Sequence, residues 1–149
     1  ARRLVIFAAE DVGNADPRAL GVAMDVAQAV EMVGMPEARI PLAQAVTWLA
    51  TSPKSNRAYL AINAALEEVQ RSGALEVPLH LRSSSTRESR AEGYGVGYQY
   101  PHDHPDAVVD QVYLPDRLRS AVFYEPTRRG AEKLIADRLE WWGRKLSDR

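Results

Sequence analysis

The chain has 149 residues, 46% of them apolar and 26% charged, with a formal net charge of −1 and no cysteine. That balance suits an ordinary globular domain with one core and excludes the low-hydrophobicity, high-charge composition of a disordered chain. Disulfides, thiolate metal sites and a cysteine nucleophile are excluded, no apolar run reaches the roughly 18–20 residues of a membrane span, and no signal peptide is legible, so the expected location is the cytoplasm by default.

Leu4, Phe7, Ala8 and Val12 already have helical spacing, yet nothing ahead of them can cap a helix. The chain therefore reads as starting inside an element, a trimmed initiator Met before Ala1 being the plain alternative. A clear helix start follows, with Asp16 as N-cap and Pro17 at the first helical position. This helix is expected to run to Gly34, a natural residue for the turn after a helix. Its polar stripe (Arg18, Gly21, Asp25, Gln28) is narrow, and Leu20, Val22, Met24, Val26, Val30 and Val33 cover most of the rest. A helix apolar over most of its circumference is central in a core or covered by a partner.

Pro41 opens the next expected helix, with Leu42, Ala45, Val46 and Leu49 on one face, and Thr51-Ser52-Pro53 stops it. Ser55 can cap a third helix ending at Gly73, with an apolar stripe of Tyr59, Ile62, Leu66 and Val69. The small residues Ala58, Ala61 and Ala65 let a neighbouring helix come close. Helices joined by such short connections predict an α-helical bundle.

From Val77 to about Pro126 the character changes to a Gly/Pro-punctuated stretch with Tyr94, Tyr98, Tyr100 and Tyr113 between the breakers. A short helix is expected around Thr86–Glu92. The rest reads as a long ordered loop pinned by tyrosines, a feature that usually has a job or a partner. Thr127 is expected to cap the last helix, with Ala131, Leu134, Ile135, Leu139, Trp142 and Leu146 turned inward and Trp141 beside that stripe. Residues 116–149 carry 9 basic and 6 acidic groups, a mild basic bias and not a polybasic tail.

Motifs that bear chemistry are scarce. The run Gly93-Tyr94-Gly95-Val96-Gly97-Tyr98 lacks the strand, helix and Lys-Ser/Thr pair of a phosphate-cradling loop, so it reads as a turn whose glycines take positive φ. His102-Asp103-His104, with His80 as a distant third imidazole, permits a small metal-dependent hydrolase, but no further carboxylate-His motif supports it. The pairs Glu10-Asp11 and Glu67-Glu68 diverge by roughly 100° on a helix and read as solvated surface. Ser83-Ser84-Ser85-Thr86 reads as a turn ending in a helix cap. Lys54, Arg57, Arg128, Arg129 and Lys133 are candidate phosphate contacts for a DNA-binding module in its own right. No catalytic, metal or cofactor-binding residue is assigned.

Several stretches together resemble one family. They are the stretch from Arg2 to Pro17, Arg39-Ile40-Pro41-Leu42-Ala43-Gln44-Ala45, Pro53-Lys54-Ser55-Asn56 with Tyr59, and Pro78-Leu79-His80-Leu81-Arg82. Gly93 through Asp103, Tyr113-Leu114-Pro115-Asp116 and Phe123-Tyr124-Glu125-Pro126-Thr127 continue the pattern. The chain resembles the C-terminal part of the replication-associated recombination AAA+ ATPases, whose eukaryotic members are the Werner-helicase-interacting proteins.

The resemblance implies an all-α, clamp-loader-C-terminal-like fold of about five to seven helices with a long Gly/Pro/Tyr-rich loop. It implies that residues 1–14 end a lid domain and that 15–149 form a C-terminal helical oligomerisation domain. It implies a homotetramer, and a parent that binds DNA and single-stranded-DNA-binding protein in replication-fork maintenance, recombination and repair, with no membrane partner and a nucleoid-associated, cytoplasmic location. ATP and Mg²⁺ belong to an ATPase domain ahead of Ala1; the family's phosphate-binding loop, acidic Mg²⁺ motif and arginine finger have no counterpart here. The pattern departs from the family at His104, where an aromatic is common, and at Asp106-Ala107, where Gly-Gly is common. Leu20, Met24, Tyr59, Tyr94, Tyr98 and Trp141 are the candidate interface residues.

Overall fold

The computed structural model describes residues 1–147, and among them the regular elements are all helical. Six α-helices are present: α1 (Arg2–Phe7), α2 (Arg18–Val33), α3 (Arg39–Thr51), α4 (Arg57–Ser72), α5 (Arg87–Ala91) and α6 (Glu132–Ser147). The all-α expectation is met. The chain divides into two compact units, one of Ala1–Leu66 with Phe123–Leu139, the other of Glu67–Val122 with the residues from Glu140 onward.

In the first unit, α1 continues through a π-helical turn at Ala8–Val12 and a 3-10 turn at Gly13–Ala15. Asp16 then starts α2: its carboxylate accepts the Arg18 N–H at 3.2 Å, and its carbonyl accepts the Ala19 N–H at 3.0 Å. Gly34 ends α2 at φ +67 as expected. α3 begins at Arg39 and not at Pro41; Pro41 falls in the first turn, where a missing N–H costs nothing. Ser55 Oγ accepts the Arg57 N–H at 3.4 Å at the head of α4.

The core of this unit is Ala8, Val12, Ala19, Ala23 and Leu49, with Leu4, Val5 and Phe7 packed against it. Small residues on α2 let α1 and α3 close in, so the packed side of α2 is Ala19, Ala23 and Val26. Leu20 and Met24 stay exposed. The apolar circumference read from the sequence is thus half core and half surface.

α6 departs most from expectation. Thr127 does not cap it; the helix starts five residues later, because Gly130 sits at φ +52 and breaks the backbone out of the helical region. A Cβ at Gly130 would collide with the Ala15 carbonyl and stand 2.6 Å from Pro53 Cγ. The chain is held there by the Ala131 N–H, which donates to the Ala15 carbonyl at 2.8 Å. The expected inward stripe is corrected as well: Leu134, Leu139 and Trp142 are exposed, and Glu132 and Ala136 are the buried side chains.

The second unit holds α5 and 3-10 turns at Leu79–Leu81, Pro101–Asp103, Pro105–Ala107 and Asp116–Leu118. Thr86 caps α5 reciprocally with Ser89, each side chain accepting the other's backbone N–H at 3.1 Å. The Gly93–Gly97 run is a turn with all three glycines at positive φ; the Gly95 N–H donates to the Leu79 carbonyl, and a Cβ there would stand 2.9 Å from Ser84 Oγ. Asp106 and Ala107 take φ +58 and +53, the conformation that suits the Gly-Gly of the resembling family. Val108 and Val109 are buried.

Candidate assembly surface

One buried carboxylate organises the first unit. Glu132 is fully buried and accepts the Tyr124 hydroxyl at 2.8 Å and the Thr127 N–H at 2.9 Å, with the Thr127 hydroxyl on the same oxygen. Asn14 Nδ2 donates to the Tyr124 oxygen at 3.0 Å. Burial alone would raise the Glu132 pKa, but hydrogen bonds from Ser55, Thr127 and Tyr124 outweigh it and hold the carboxyl below its ordinary value. Burial also pushes the Tyr124 phenol up. Residues 14, 55, 124, 127 and 132 are thereby gathered at one point, and this knot gives the surface around it a fixed frame.

The basic candidates do not converge on a free patch. Lys54 directs its ammonium to the carbonyls of Leu49 (2.9 Å), Ala50 (3.3 Å) and Ser52 at the end of α3, 5.5 Å from the Phe7 ring centroid. Arg128 and Lys133 share the Asp137 carboxylate, whose pKa they lower, Lys133 first. Arg129 reaches the Lys54 carbonyl at 3.5 Å, and Arg57 is half-buried at the head of α4.

The apolar candidates are arranged differently. α4 has no buried residue, and its stripe of Tyr59, Ile62, Leu66 and Val69 lies exposed. Leu20, Met24, Tyr98 and Trp141 are exposed too, at 44%, 45%, 48% and 40%. Tyr94 is half-buried beneath the Arg82 guanidinium, 5.1 Å from the ring centroid, and Trp141 carries the Lys145 ammonium at 4.9 Å. Sequence reasoning did not single out Trp48, half-exposed under Arg18 at 5.0 Å, which Asp16 holds there through bonds to Nε and Nη2. The signal available for it was its place at the flank of the Ala45 and Leu49 face of α3, three residues after Ala45.

Among the described residues no group of three His, Asp or Glu is placed to hold a metal. His80 bonds through Nε2 with the Val112 carbonyl at 2.8 Å, and the His102 ring lies tilted at 53° to that of Tyr100 with centroids 5.1 Å apart. No described helix is long and apolar enough to cross a membrane.

Residues 1–143 match the protein family described as MgsA AAA+ ATPase C terminal. The Replication-associated recombination protein A of Coxiella burnetii is 46% identical over 149 residues, covering 99% of this chain and 34% of that protein. Its namesake in Bacillus subtilis is 43% identical over 143 residues, 93% of this chain and 34% of its own length. The ATPase WRNIP1 of Dictyostelium discoideum is 38% identical over 125 residues, 83% of this chain and 14% of that protein. The chain spans about a third of the length of the bacterial relatives it matches. The match is to the C-terminal region, so the ATPase domain is not among these 149 residues.

Proposed function

The chain belongs to the family of MgsA AAA+ ATPase C-terminal regions, and on that premise we propose that it is the oligomerisation module of a DNA-dependent ATPase of replication-fork maintenance, recombination and repair. The observation that carries this reading is α4, a helix with a continuous apolar stripe and no buried residue. A helix amphipathic to this degree gains its stability from packing, so an open stripe points to a covering partner.

In this reading four copies gather their ATPase domains around DNA, ATP and Mg²⁺ sit in those domains, and residues 1–14 close the lid domain. Single-stranded-DNA-binding protein is the parent's further partner, at a nucleoid-associated, cytoplasmic location.

Sedimentation equilibrium on the 149-residue chain decides the assembly claim. A tetramer, or a monomer–tetramer equilibrium in the micromolar range, is the expected result. A clean 16.5 kDa monomer at high micromolar concentration overturns it.

A further inference from the structure

Between α1 and α2 the backbone passes through two irregular turns in succession, the π-helical turn Ala8–Val12 and the 3-10 turn Gly13–Ala15. Such turns inside a helical run are where helices hinge and where their carbonyls become free for other partners. The Gly13 N–H reaches back five residues to the Ala8 carbonyl, and the ladder ends there. The carbonyls of Asp11 and Val12 then share the Ser55 N–H, at 2.8 and 3.2 Å. Gly13 stands at φ +51, ψ −138, a glycine conformation, and a Cβ on it would collide with the Ser55 carbonyl. Ser55 is also where α4 begins, because its Oγ accepts the Arg57 N–H.

The other end of the same segment holds the head of α6. The Ala15 carbonyl accepts the Ala131 N–H at 2.8 Å, and Asn14 Nδ2 donates to the Tyr124 oxygen at 3.0 Å. With the Tyr124 and Ser55 hydroxyls both on the Glu132 carboxylate, the bonds close into a ring. It runs from Val12 to Ser55, Glu132, Tyr124 and Asn14, and back along the chain to Val12. α1 is locked to this ring, since Ala8 and Val12 are fully buried and Leu4, Val5 and Phe7 pack on their cluster. A close-packed interior does not absorb a displacement by compressing. α4 has no such hold of its own: none of its residues is buried, so its direction depends on its head at Ser55.

We propose that Ala8–Ala15 is a coupling joint from which the heads of α4 and α6 are suspended together, so that a displacement of α1 is delivered to the α4 stripe. The inference rests on the assembly reading above and names what regulates that surface. Asn14 and Tyr124 act in it as positioning residues: they lie outside the stripe and act on it through the ring. Coupling of this kind travels through a contiguous hydrogen-bonded network with rigid elements at its ends, and both are present here.

Residue-resolved hydrogen exchange on the 149-residue chain and its Tyr124→Phe variant tests this. The variant keeps the aromatic ring and cuts the hydrogen-bonded one. Exchange is expected to quicken about tenfold at Ala136 and Asp137 in α6 and, with them, at Leu60, Ala61 and Ile62 in α4, while Val26 and Leu49 keep their rates. Quickening confined to α6, none at all, or an equal change at Val26 and Leu49 overturns the proposal. Asn14→Ala cuts the same ring one bond earlier and is expected to repeat the pattern; a different pattern there overturns it too. In sedimentation, Tyr124→Phe is expected to weaken association about tenfold. If it assembles as tightly as the unmodified chain, the joint does not govern the stripe, and the proposal falls while the assembly reading stands. If the unmodified chain stays monomeric, the assembly reading falls, and the exchange pattern alone decides the joint.

Discussion

Tyr124 donates its hydroxyl to the fully buried carboxylate of Glu132 at 2.8 Å, and through that bond the segment before α6 is tied to its first turn. The same carboxylate collects Thr127 and Ser55. Truncation at Glu132→Ala leaves these buried donors without an acceptor. The expected loss is about 2–4 kcal/mol, read as a shift of the urea midpoint at unchanged m-value. Glu132→Gln, which keeps acceptor capacity on one oxygen, is expected to lose about half as much. Equal stability of Glu132→Ala and the parent chain would show that the knot contributes nothing.

The pH dependence follows from the same group. The folded Glu132 pKa lies below its ordinary value of 4.5, so the folded state favours the charged form. Its contribution is fully present above the unfolded-state pKa and disappears as pH falls through the folded one. Unfolding free energy is therefore expected to be level from pH 7 to about 5 and to decline below about 4.5. Asp16, lowered by its bonds from Arg18, adds to that decline. Urea titrations from pH 7 to 3 check the sign, and Glu132→Gln is expected to have a shallower acid limb than the parent chain.

Local chemistry near one residue was legible in the sequence, and contacts between distant residues were not. The Thr86 cap, the Gly34 terminus, the Ser55 start and the positive-φ glycines of 93–97 all depend on a residue and its immediate neighbours, and each stands where it was read. The start of α6 was misread because Thr127 is a good cap by itself. What displaces the start is the close approach of Gly130 to Ala15 and Pro53, more than seventy positions away in sequence. The Glu132 knot was invisible for the same reason, since its donors lie as far off as Asn14 and Ser55. Amphipathic stripes on α4 and α6 were found, but periodicity cannot say whether a stripe meets its own chain or another one.

That ambiguity makes the α4 stripe testable. Ile62 and Leu66 are 54% and 53% exposed, so Glu at either position removes little from the isolated chain's core. Ile62→Glu with Leu66→Glu is expected to change monomer stability by no more than about 0.5 kcal/mol per site. Association, followed by sedimentation, is expected to weaken by at least 100-fold. A doubly substituted chain that still assembles as the parent does would remove α4 from the interface.

Gly130 offers a check on why α6 begins where it does. At φ +52, Ala carries the penalty of the left-handed region, and its Cβ also meets the Ala15 carbonyl and the Pro53 ring. Gly130→Ala is expected to cost about 2–3 kcal/mol, more than a strained φ alone. A cost under about 1 kcal/mol would mean that the segment relaxes freely and that Gly130 does not set the helix start.

The opposite substitution is informative at Ala107. In a helix, Ala→Gly is destabilising because the unfolded glycine has more freedom to lose. At φ +53 the sign reverses, since the native conformation strains a Cβ and glycine relieves it by about 1–2 kcal/mol. The relief exceeds the entropy cost of roughly 0.5–1 kcal/mol. Ala107→Gly is therefore expected to be neutral to stabilising by up to about 1.5 kcal/mol in urea denaturation. Asp106 is the less clean neighbour, because its carboxylate also pairs with Lys145 and glycine would forfeit that contact. A loss of stability in Ala107→Gly would mean that the loop does not hold Ala107 at positive φ in solution, and that the glycines of the resembling family serve some end other than backbone conformation.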